Sequence, residues 1–154
     1  PDEIAADERV ADGLPQSLDA CIRFYGLRHF KIKINGEAAR DRDRLARMAA
    51  VFAAECGDDF AFSLDGNESF HDVASFADYY RSLVATPELR SLWPHLLYVE
   101  QPWHRSVALS PAIACSMVSA CVTDAPLSMA ILVAVVSWPF SVPTMRSRMV
   151  VSCY

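Results

Sequence analysis

Apolar and polar positions switch between two periods along residues 16–105, and each switch marks an element. In residues 16–25 (QSLDACIRFY), Leu18, Cys21 or Ile22, and Tyr25 recur at helical spacing. Ser17 is placed as the N-cap of that helix and Gly26 as the residue that ends it. Phe30, Ile32 and Ile34 then alternate with Lys31 and Lys33, which is the two-residue period of a strand, and Asn35-Gly36 closes it. Helical spacing returns over residues 37–55. Leu45, Met48 or Ala49, and Phe52 make the apolar stripe, while Asp41, Arg42, Asp43, Arg44 and Arg47 fall in the polar part. Gly57 ends this helix, and Phe60 to Leu64 forms a second short strand running into Asp65-Gly66-Asn67. Val73, Phe76, Tyr80 and Val84 predict a third helix that Pro87 interrupts or ends, with Leu89 to Leu92 able to add a turn. Leu96-Leu97-Tyr98-Val99 is a continuous apolar strand that stops at Glu100-Gln101-Pro102. Ser110-Pro111 reads as the N-cap and first residue of another helix.

Regular alternation of strands and helices at this period predicts a parallel sheet with helices outside it, either open or part of a barrel. Lys33 and Asp65 are 32 residues apart, and Asp65 and Glu100 are 35 apart. Polar residues thus gather at the C-terminal ends of three successive strands, the edge where parallel α/β folds build their sites. Lys31 and Lys33 are the only lysines in the chain; its other basic residues are arginines. A lysine beside other cations can lose its proton and act as a base, whereas arginine cannot. The plainer alternatives are a protected edge strand for the lysines, an ordinary turn at Asp65-Gly66-Asn67 and a surface position for Glu100. His29, His71, His95 and His104 show no ligand spacing and are expected at the surface or at packing contacts. Trp93, Trp103, Tyr79 and Tyr80 are expected to pack helices on strands.

Lys31-Ile32-Lys33, Asp65-Gly66-Asn67 and Val99-Glu100-Gln101-Pro102, each ending a strand, resemble the mandelate racemase/muconate-lactonizing branch of the enolase superfamily. The resemblance spans roughly residues 5–114 and rests on three short motifs in order. It implies an α/β fold, a partial (β/α) barrel of TIM type holding about three βα units. It implies Mg²⁺ held by Asp65 and Glu100, and an isomerase or lyase reaction that begins by abstracting a proton α to a carboxylate. Lys33 would be the base, Lys31 its neighbour and a holder of the substrate carboxylate, and Asn67 would line the site. A divalent cation fits that chemistry because it stabilises the enediolate as charge develops. The expected partner is a small carboxylate substrate. The sequence departs from the family in three ways. The family's capping domain is not expected before Pro1, nor its later strands after the tail, and the only acid beyond Glu100 in this sequence, Asp124, lies too close to it to continue the repeat. The chain is therefore expected to be a truncated and inactive member that self-associates through open edges. The alternative is a non-enzymatic α/β domain tethered to a membrane by its C-terminal segment.

Composition divides the chain at about residue 114. Residues 1–105 carry 30 of the 33 charged residues, and residues 106–154 carry only Asp124, Arg146 and Arg148. Residues 115–154 lack Gly, Asn, Gln, Lys and Glu altogether. Residues 1–114 are thus expected to form the barrel fragment, and residues 115–154 an atypical apolar tail. The favoured explanation of the tail is a reading frame lost after Ala114. A membrane span over residues 125–145 is the second, weakened by Pro126, Pro139 and Pro143. The net charge of −5 argues against a nucleic-acid partner. No secretory signal is visible, and no cysteines fall at zinc spacing, so a reducing cytoplasmic setting is expected.

Overall fold

The computed structural model describes residues 4–5, 7–113 and 151–153. Three helices form where the sequence changes to helical spacing: α1 (Leu18–Tyr25), α2 (Ala38–Glu55) and α3 (Val73–Val84). Helix α1 stops because Gly26 takes the left-handed conformation, φ 63°, which costs a residue without a Cβ nothing. Helix α3 starts at Asp72, whose carboxylate accepts the Ser75 N–H at 2.8 Å and so satisfies one of the unpaired donors of the first turn. Short 3₁₀ turns follow at Pro87–Leu89 and Trp93–His95, each with proline where a missing N–H does no harm. At Ser110 the hydroxyl accepts from Ile113 N, and helical backbone begins at Pro111, as the Ser-Pro pair predicts.

Strands β1 (His29–Lys33), β2 (Ala61–Asp65) and β3 (Leu96–Glu100) are parallel neighbours, and the short β4 (Val151–Cys153) pairs with β1 on its other side. Phe30, Ile32, Phe62, Leu64 and Val99 point from the sheet into a single core with Leu45, Phe52, Phe76 and Leu83 from the helices. Phe52 of α2 lies against Phe30, with ring centroids 4.4 Å apart. The third strand is less uniform than its apolar run suggests. The register shifts at Phe62/Ser63, leaving Leu97 53 % exposed while Leu96 and Val99 are buried.

The strand order β3-β2-β1-β4 corrects the expected barrel. In a (β/α) barrel each new strand joins the far side of the preceding one and the last closes on the first. Here β4 joins β1 but does not pair with β3, so the sheet stays open, with β3 and β4 at its edges among the described residues. The protein is a small α/β domain on an open parallel sheet, and the TIM-type fold is set aside. Most of residues 115–154, including the proposed frame change, Asp124 and the apolar stretch 125–145, lie outside the described residues. Among the described residues no helix is long and apolar enough to cross a membrane.

Beyond the strand ends, the chains leaving β2 and β3 stay paired. Gly66 N donates to Glu100 O at 2.8 Å, Glu68 N to Gln101 O at 2.8 Å and Phe70 N to Pro102 O at 3.0 Å. This close approach needs glycine at residue 66, because a Cβ there would lie 2.5 Å from Pro102 Cα. Gly66→Ala is therefore expected to cost roughly 1–3 kcal/mol, the usual range for overpacking, as measured by urea denaturation. An unchanged midpoint would mean that the two segments do not touch.

Candidate functional site

Register and alternation together create one polar sheet face. Lys33, Asp65 and Glu100 stand side by side across β1, β2 and β3, and Lys31, Ser63 and Tyr98 form the row behind them. Their neighbours in sequence, Ile32, Leu64 and Val99, point the opposite way into the core. The K-x-K spacing thus places both ammoniums on one face, beside the two carboxylates.

Asp65 is the centre of this group and is only 1 % exposed. Its Oδ2 meets Lys31 Nζ at 3.0 Å and Lys33 Nζ at 2.9 Å, and its Oδ1 accepts the Asn67 N–H at 2.9 Å. Lys31 also donates to Glu100 Oε1. Both lysine side chains keep 27 % of their surface in solvent. Burial alone would raise the pKa of Asp65. The hydrogen bonds from Lys33 and Lys31, with the Asn67 N–H, outweigh it and hold the carboxyl below its ordinary value. Burial likewise works against the charge on Lys31, but hydrogen bonds to Glu100 and Asp65 outweigh it and push the ammonium upward. The loops that follow β2 and β3 are strained: Asn67, Glu68 and Gln101 take positive φ values of 47°, 61° and 43°.

Lys31, Lys33, Asp65 and Glu100 therefore meet, while Asn67 reaches them through its backbone N–H and is otherwise exposed. Their arrangement overturns the expected Mg²⁺ site. Among the described residues no three His, Cys, Asp or Glu side chains are grouped to hold a metal ion. Asp65 and Glu100 both turn toward the Lys31 ammonium and are satisfied by it. With neither a barrel nor a metal cluster, membership of the enolase superfamily and the isomerase or lyase activity it implied are withdrawn.

The expectations for the aromatic and histidine residues divide. His95 stacks on Phe60 at 4.0 Å, and His71 stacks on His104 at 4.6 Å, as packing contacts. Tyr79 does more than fill the core. Its hydroxyl donates to Asp41 Oδ2 at 2.8 Å. Asp41, assigned from the pattern to the polar part of α2, is in fact 1 % exposed. The signal for it lay in Asn35-Gly36: a tight turn leaves N–H groups that need an acceptor, and Asp41 follows within one turn of the next helix.

Comparison with known family models, with curated proteins and with solved structures finds no match to this chain.

The depressed Asp65 pKa fixes the sign of a pH dependence. Its contribution to stability is full above the unfolded value near pH 4 and is lost as pH falls through the lower folded value. The raised Lys31 pKa makes a contribution that is full below about pH 10 and is lost above it. The stability difference between the wild type and Asp65→Asn is therefore expected to be level near neutrality and to shrink below about pH 4. Denaturant titration at stepped pH measures it, and a difference that persists unchanged at about pH 2 would contradict the ion pairs.

Proposed function

We propose that this chain is a binding domain for a small organic carboxylate, taken up at the C-terminal edge of the sheet by Lys31 and Lys33. The observation that carries this reading is the convergence of both ammoniums on a single buried oxygen of Asp65, with part of each side chain left in water. An ammonium is a compact cation with three donors. Lys31 gives two of them to Asp65 and Glu100, which leaves one for a ligand oxygen. The acids keep Lys31 charged, and a permanently protonated lysine suits holding an anion rather than taking a proton. The location also supports the reading, because loops after parallel strands can enclose a ligand without disturbing the sheet.

Cys21 and Cys56 are separate free thiols, each half-buried, which supports a reducing compartment such as the cytoplasm.

Malonate is a suitable first probe. Titrated into protein with ¹³C-labelled lysine, it should shift the Lys31 and Lys33 Cε signals saturably. Sodium chloride at equal ionic strength should not. Lys31→Met should weaken binding by at least about tenfold, the loss expected for one charge-assisted hydrogen bond. Equal, unsaturable shifts with malonate and chloride would show screening alone and sink the reading.

A further inference from the structure

The buried network behind the lysines has a second role beyond packing. Asp41 sits in the first turn of α2, yet only one of its donors, Arg44, belongs to that helix. Its Oδ2 accepts the Asn35 N–H at 2.9 Å, the Gly36 N–H at 3.2 Å and the Tyr79 hydroxyl at 2.8 Å. Its Oδ1 faces Arg44 Nη2 at 3.3 Å, and the same Nη2 donates to the carbonyl oxygen of Lys33. A carboxylate this deeply buried is stable only when its oxygens are well supplied with donors. Here the donors come from the segment that follows Lys33, from α3 and from the arginine that grips Lys33 itself.

We propose that Asp41 is the positioning residue of the lysine pair, fixing the end of β1 so that Lys33 meets Asp65 in the geometry a carboxylate ligand requires. The proposal rests on the carboxylate-binding reading for its purpose, though not for its geometry. Immediately after Lys33, the ladder passes through Ile34 N to Asp65 O at 2.9 Å. Residues 33–36 are thus pinned from one side by Asp65 and from the other by Asp41 and Arg44. If the second anchor is released, the end of β1 loses its tie to the helical layer and keeps its contacts to β2. Tyr79 is a dependable donor here, because burial first, and then its bond to Asp41, push the phenol well above its ordinary value.

The test begins with ligand-free protein. In Asp41→Asn the Lys33 ammonium signal and the Asn35 and Gly36 amide signals should move, and malonate should bind about tenfold more weakly. Phe52→Leu, a core change on the far half of α2, should lower stability and leave both readouts in place. That contrast separates positioning from loss of stability. If Asp41→Asn does not fold, Tyr79→Phe removes one donor and keeps the carboxylate. It should move the same Lys33 signal and weaken malonate by a factor of about three, the low end for a single hydrogen bond. An unmoved Lys33 signal in the folded Asp41→Asn protein, or in Tyr79→Phe if Asp41→Asn does not fold, overturns the proposal. If malonate fails to bind the wild type, the carboxylate-binding reading falls, and the ligand-free Lys33 signal still decides whether Asp41 positions the strand.

Discussion

A carboxylate removed from water must be compensated, and Asp65 is compensated by two lysines from the neighbouring strand and by a backbone N–H from its own loop. This requirement ties the parts of the fold together. It needs β1 beside β2 in one register, since a shift of one residue would turn Lys31 and Lys33 into the core and Ile32 out of it. It needs the turn at Gly66-Asn67, in which the Asn67 N–H comes back onto the carboxylate. It also draws in β3, because Lys31 spans Asp65 and Glu100. The hydrophobic core sets the opposite face of the same strands, so packing and ion pairing specify one register in common.

Two buried acids divide the work of holding this edge. Asp65 joins strand to strand within the sheet, while Asp41 joins the end of β1 to the helical layer through Asn35, Gly36 and Tyr79. Between them the Lys33 end of β1 is held from both sides, and both lysine side chains remain partly open to solvent. The result is a pair of ammoniums matched by a pair of carboxylates, the arrangement on which the proposed carboxylate site rests.

Much of the element pattern was legible in the sequence because period two and period 3.6 alternate cleanly over residues 18–100. Gly26, Pro87 and the Ser110-Pro111 pair acted as the expected punctuation. The meeting of Lys31, Lys33, Asp65 and Glu100 followed from alternation along parallel strands. What the group does was not legible. The same four side chains can surround a cation or satisfy one another, and side-chain direction decides between them. Barrel and open sheet were equally compatible with the βα alternation. The difference lies in where the next strand pairs, which local pattern does not encode. Asp41 was hidden for a related reason: charged residues at helix starts usually face water, and only the tertiary approach of Tyr79 and the Asn35-Gly36 turn makes this one interior. The bulge at Leu97 likewise depends on register with β2 rather than on the strand's own composition.

The most direct measurement is a double-mutant cycle between Lys33 and Asp65, using Lys33→Met, Asp65→Asn and the double variant, with unfolding free energies from urea titration at neutral pH. If the shared carboxylate organises this edge, the two changes are coupled, by about 1–3 kcal/mol for a buried charged pair. Additive effects, to within about 0.3 kcal/mol, would mean that the two groups do not interact in solution and would contradict the role given to Asp65.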